Sequence, residues 1–221
     1  MGIVNRIASL FSGFNWLIIP AALIAIIFHE ISHGLVAYIL GDRTAKERGR
    51  LTLNPIKHMD FIGVLSMVLF GFGWAKPVPV NPYYFKNKKL GMVLVSLAGP
   101  LSNLIMAFVS LLLARVVVTY FVPPSEVWLV VEEILINFLY VFVILNIGLA
   151  VFNLIPIPPL DGSKILFSFL PRAAYGFLMN YERYGMLLLI VLINVPLFGN
   201  ILTWLRSLVF SGMHSLVELI F

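Results

Sequence analysis

A chain of 221 residues that is 61% hydrophobic and only 11% charged is far from a water-soluble domain, where about a quarter of residues carry charge. Its mean hydropathy of +1.01 points to an all-α polytopic membrane protein, a helical bundle embedded in the lipid bilayer. The net charge of +5 is no signal for nucleic acid, because the basic residues lie in loops between apolar runs, and the absence of cysteine excludes disulfides and thiolate chemistry.

Residues 1–13 hold one Arg and alternate apolar with polar residues, and the apolar run after them lacks the small-residue cleavage site of a signal peptide. They are expected to be retained, with residues 3–12 lying on the membrane surface. Crossing a bilayer takes about 20 apolar residues. The first run that qualifies extends from about Phe14 to Leu40 and stops at Gly41. The polar stretch "GDRTAKERGRLTLNPIKHMD" follows, then "FIGVLSMVLFGFGW", which is short and rich in glycine, as a re-entrant segment would be. After the polar "AKPVPVNPYYFKNKK", spans are expected at 91–121 and 127–153. "NLIPIPPLDGSKIL" then breaks the helical pattern at Pro156, Pro158 and Pro159. A fourth span is expected at 173–195 and a last helix at 198–221.

Charge sets the sides. Arg43, Lys46, Arg48, Arg50, Lys57, Lys76, Lys86, Lys88 and Lys89 fall in segments 41–60 and 76–90, whereas 120–133 holds Glu126, Glu132 and Glu133 and no Lys or Arg. The positive-inside rule makes loops 41–60 and 76–90 cytoplasmic in a multi-pass protein of the cell membrane. Both can share one side only if residues 61–75 turn back without crossing. "LTLNP" at 51–55 and "VPVNP" at 78–82 alternate apolar and polar residues and stop at Asn-Pro, so short membrane-associated β-strands are expected there.

The first span holds "FHEISHG". An ionisable group in mid-membrane costs about 2.5–3.5 kcal/mol on insertion scales, and three stand within five residues. His29 and His33, four apart, project from one helix face, so both imidazoles can reach one metal ion. Glu30 beside them can reach a water at that ion. This is the H-E-x-x-H pattern of zinc peptidases, in which the metal acidifies a water and a carboxylate takes its proton. Gly34 leaves room for another chain segment to approach. A catalytic zinc site takes three protein ligands and one open position. The third can come from Asp161, Glu182 or Glu218. Asp161 stands out, because proline-broken backbone at membrane depth is tolerated where it is buried or lines a watery cavity. It could instead cap a helix starting near Ser163. Asn103, Asn146 and Asn153 are polar residues in apolar spans that need partners. Asn103 and Asn153 are candidates for supporting a ligand or binding substrate. His58 and His214 have no evident partners and are expected at the surface or interface.

Together "FHEISHG", "SLAGPLSN" and "NLIPIPPLDG" resemble the site-2 protease family of intramembrane zinc metalloproteases, peptidase family M50, over about residues 14–170. The resemblance implies His29, His33 and Asp161 as ligands of one Zn²⁺ per chain, Glu30 as general base, and a three-span catalytic core reached by water from the cytoplasmic side. It implies a single membrane-embedded domain over 1–221, with C-terminal helices at about 173–221, and the small form without PDZ or CBS modules. The expected substrate is a single-span transmembrane protein, unwound and added as a strand beside Leu51, Thr52 and Leu53 or Val78 and Val80. The alternative from another class is a non-catalytic membrane zinc-binding protein or carrier. A carrier should string ionisable groups across the bilayer, whereas here they gather near Glu30 and Asp161.

Overall fold

The computed structural model describes residues 16–61, 63, 75–171 and 184–221. In chain order these form helix α1 (Ile18–Ile39), the single-turn helices α2 (Thr44–Glu47) and α3 (Pro55–His58), a 3-10 turn at Pro82–Tyr84, and the long helices α4 (Lys88–Tyr120) and α5 (Glu126–Asn153). The short α6 (Asp161–Phe169) follows, then α7 (Tyr184–Ile193) and α8 (Pro196–Ile220). Helices α1, α4 and α5 are each long and apolar enough to cross a membrane. Helices α7 and α8 meet at an 85° bend. Pro196 begins α8 after the extended Val195, where its missing N–H costs nothing.

The three spans pack through matched stripes. Helix α1 buries Ala21, Ala25, His29, His33 and Ala37, one residue per turn. Helix α4 answers with Gly91, Val95, Gly99, Asn103 and Ala107 at the same spacing. Helix α5 contributes Leu139, Val143, Asn146, Ile147 and Ala150. Residues four apart share a helix face, and small ones let backbones close in lipid, where apolar burial gives no drive between helices. The opposite faces carry exposed Leu35, Leu101, Ile105 and Ile144, side chains that suit contact with acyl chains. Helix α4 touches α1, α5 and α6, and α1 also touches α5. Helix α8 seats Val217 on Ala107, Leu111, Val143 and Ile147.

The expected strands are a correction. Among the described residues the β-structure is a single antiparallel bridge between Met59 and Ala75. The backbone groups that a ladder would use are bonded to side chains instead. Arg50 Nη2 donates to Lys76 O at 2.6 Å, the Val78 N–H to Glu30 Oε2 at 2.7 Å, the Asn81 N–H to Asp42 Oδ2 at 2.6 Å, and His58 Nε2 to Thr52 O at 2.7 Å. Pro77 and Pro79 have no N–H to offer a neighbour. His58 is likewise not a surface residue: it is 1% exposed, pinned under the 51–58 loop. His214 is half-buried at the surface, 3.6 Å from Glu218. Most of the expected re-entrant segment 61–75, the N-terminal residues 3–12, and Glu182 in the first part of the expected fourth span lie outside the described residues.

Candidate metal centre

His29 and His33 lie on the inner stripe of α1, and Asp161 is the first residue of α6, where the broken stretch 154–160 ends. Their side chains meet. Asp161 Oδ2 is 3.2 Å from His29 Nε2 and 3.1 Å from His33 Nε2, and the two Nε2 atoms are 3.1 Å apart. All three residues are buried. The capping alternative for Asp161 does not hold, since Leu160 occupies the N-cap and the carboxylate turns to the imidazoles. Gly162 is what lets the chain do this. Any Cβ there would strike the Leu154 carbonyl and lie 2.5 Å from Ile155 O.

Hydrogen bonding fixes the imidazoles. His29 Nδ1 lies 2.6 Å from Asn103 Oδ1 and His33 Nδ1 lies 2.6 Å from Val95 O. Both partners are acceptors, so each Nδ1 carries the proton and each Nε2 presents a lone pair. The Asn103 orientation is set in turn, because its Nδ2 donates to Ala25 O at 3.2 Å and to Asn146 Oδ1 at 2.7 Å, and Asn146 Nδ2 donates to Phe142 O at 2.8 Å. A run of bonds thus crosses α1, α4 and α5. Two imidazole nitrogens and a carboxylate oxygen thus converge on one point, a donor set that suits a metal cation at its centre. A tetrahedral zinc with bonds of about 2.0–2.1 Å holds its ligands about 3.3 Å apart, which the observed triangle nearly matches. Among the described residues these three are the group able to hold a metal ion.

Gly99 of "SLAGPLSN" is pressed against this pair. A Cβ at Gly99 would overlap His33 Nε2 and lie 2.6 Å from His29 Cε1. The close packing at Gly99 is therefore against the two histidines. Gly34 makes room for this chain's own Leu51 and Val78, 2.7 Å and 3.0 Å from where its Cβ would stand.

Asp161 begins α6, outside the three spans. Lys164 Nζ is 3.1 Å from its other oxygen, Oδ1. Sequence reasoning missed Lys164, although its place three residues along the same helix from Asp161 is a signal.

A cavity of about 320 Å³ opens beside the three residues, with Glu30, Val78, Val80, Ser96, Asn153 and Lys164 in its wall. Glu30 is half-buried, and its Oε2 accepts the Val78 N–H. Asn153 lines the cavity and donates one amide N–H to Leu149 O at 2.9 Å. Of the residues expected to flank a substrate strand, Val78 and Val80 line the cavity, whereas Leu51, Thr52 and Leu53 do not. Glu218 lies exposed on α8, paired with His214.

Over most of its length the chain is similar to known proteins. The profile described as Peptidase family M50 matches residues 17–194. The chain is 40% identical over 197 residues to the Bacillus subtilis (strain 168) protein named "Putative zinc metalloprotease YwhC", covering 89% of this chain and 87% of the relative. It is 31% identical over 210 residues to "Putative zinc metalloprotease Rip2" of Mycolicibacterium smegmatis, covering 90% and 75%. It is 33% identical over 172 residues to "Putative zinc metalloprotease MJ0611" of Methanocaldococcus jannaschii, covering 74% and 78%. No solved structure matches the chain.

Proposed function

This chain belongs to peptidase family M50 and is a multi-pass zinc metalloprotease, and we propose that it cuts single-span membrane proteins within or near their transmembrane segment, with His29, His33 and Asp161 as the zinc ligands and Glu30 as the general base. The observation that carries the reading is the convergence of two imidazole nitrogens and a carboxylate oxygen, 3.1–3.2 Å apart, between membrane-spanning helices and beside a cavity that holds a glutamate.

When bound, zinc supplies Lewis acidity to the scissile carbonyl and to a water. The chain does the rest. Asn103 and Val95 O hold the imidazoles with their lone pairs inward, and Lys164 occupies Asp161 Oδ1 so that Oδ2 faces the histidines. Glu30 has one oxygen tied to the Val78 N–H. Its other oxygen takes the proton of the attacking water and returns it to the departing amine. The substrate peptide, unwound so that its carbonyl is accessible, lies along the cavity wall at Val78 and Val80, with Asn153 available to its backbone.

Sidedness follows the charges. His29 and His33 stand ten and six residues before the end of α1, about 15 and 9 Å along the helix. That end leads into the basic loop 41–60, so water and substrate reach the site from the cytoplasmic face of the cell membrane.

The test is cleavage of a labelled single-span peptide in proteoliposomes. The wild-type enzyme should cleave it, chelator should stop cleavage, and added zinc should restore it. Glu30→Gln should keep one zinc per chain and lose turnover. Cleavage retained by Glu30→Gln would remove Glu30 as the base. Zinc movement across the vesicle without cleavage by wild type would favour the carrier.

A further inference from the structure

Segment 76–81 has no regular secondary structure, yet it is fastened at three places. At its start the Lys76 N–H donates to His58 O at 2.9 Å, and Lys76 O accepts from the buried Arg50 at 2.6 Å. In its middle the Val78 N–H donates to Glu30 Oε2 at 2.7 Å. At its end the Asn81 N–H donates to Asp42 Oδ2 at 2.6 Å. Pro77 and Pro79 flank the central amide and restrict the backbone on both sides of it.

Asp42 is an unusual fastener. It is fully buried, yet no cation pairs with it among the described residues. Its charge is met by three donors: Thr44 N at 2.9 Å, Thr44 Oγ1 at 2.5 Å and Asn81 N at 2.6 Å. A carboxylate bonded to several N–H groups makes short, strong and directional contacts. Burying a carboxylate is costly, so its place here calls for a reason beyond closing a surface loop. The reason lies three residues up the segment, where the same strap meets Glu30.

We propose that Asp42 is a positioning residue for Glu30: it holds segment 76–81 in place, so that the Val78 N–H fixes one oxygen of the glutamate and leaves the other aimed into the cavity. The inference rests on the reading of Glu30 as general base. Without the strap, Glu30 is free to rotate about its side-chain torsions, and turnover falls while zinc is still held by His29, His33 and Asp161. Misplacing a catalytic group by about 1 Å can cost on the order of a hundredfold in rate.

The experiment has two arms on the full-length protein. In the first, hydrogen–deuterium exchange follows the segment, where only Lys76, Val78, Val80 and Asn81 have amides. Glu30→Ala should release the Val78 amide alone. Asp42→Ala should release Asn81 and Val78 together. A Val78 amide that stays protected in Asp42→Ala overturns the coupling, whether or not any substrate is cleaved. In the second arm, an amide-to-ester replacement at Val78 or at Asn81 deletes one N–H with almost no change of shape. Each should lower kcat by roughly tenfold to a hundredfold with KM within about threefold and zinc content unchanged. A kcat like wild type in both esters overturns the proposal, as does a loss of zinc that matches the loss of rate. Absence of cleavage by wild type, with the exchange pattern as expected, counts against the peptidase reading and leaves the strap standing.

Discussion

Two clusters of buried polar side chains can be set side by side: one between the spans, the other under the loops. Between the spans, His29, His33, Asp161, Asn103 and Asn146 are buried among helices whose own backbone groups are bonded internally. They therefore bond mostly to one another, and the bonds run outward from the imidazoles through Asn103 to Asn146. Under the loops, Asp42, Arg50 and His58 are buried just as deeply. They bond to main-chain groups of segments that lack regular structure, which need partners of their own. Burial of polar atoms is common to both clusters and so does not mark a reactive site. What differs is whether the spare atoms converge. Under the loops Arg50 Nε and His58 Nδ1 are left without partners, but among the described residues it is the helix cluster that gathers three possible ligand atoms at one point.

That contrast can be broken at either end. The largest effect should come from Asp161→Ala, which removes one of the three converging atoms. Zinc per chain, read by atomic absorption, should fall from one to near zero and cleavage should vanish. Chelator should lower the melting temperature of wild type but not of this variant, because a ligand stabilises only a fold that binds it. Gly99→Ala should come next. Its Cβ overlaps His33 and crowds His29, so zinc affinity in a competition titration should drop by more than about a hundredfold, with helix content by circular dichroism preserved. Asn103→Ala leaves the ligands in place but removes the acceptor for His29 Nδ1, and a loss of about 10–100-fold in zinc affinity is expected. The smallest effect on the site should follow His58→Ala. Losing the bond to Thr52 O should cost about 1–3 kcal/mol of stability in a denaturation experiment, with zinc stoichiometry unchanged. A His58→Ala protein that loses zinc as readily as Asn103→Ala would erase the distinction between the clusters.

Much of this molecule can be read along the chain because lipid makes the rules strict. Runs of apolar residues had to be helices, since an unpaired backbone group in a bilayer costs several kcal/mol. His29 and His33, four apart in such a run, had to share a face. Asp161 beside a proline-broken stretch was legible for the same reason: charge and irregular backbone are both unwelcome in lipid unless something holds them. The loops were read less well, because water is permissive there. Alternation in "LTLNP" and "VPVNP" fits a strand, but a strand needs a partner, and the available backbone groups were taken by Glu30, Asp42, Arg50 and His58. Local pattern cannot reveal that competition, since the competing residues lie up to 48 positions away.

By itself the sequence determined that the chain enters a membrane, where the two imidazoles point, and that a carboxylate would be needed from elsewhere. Those are consequences of spacing and of solvent. Tertiary structure alone decided that Asp161 closes the triangle and that Gly99 leaves space for the histidines. It also decided that the Val78 amide is tied to Glu30. Each of these depends on how separate helices and loops come to rest against one another, which periodicity along one helix does not encode.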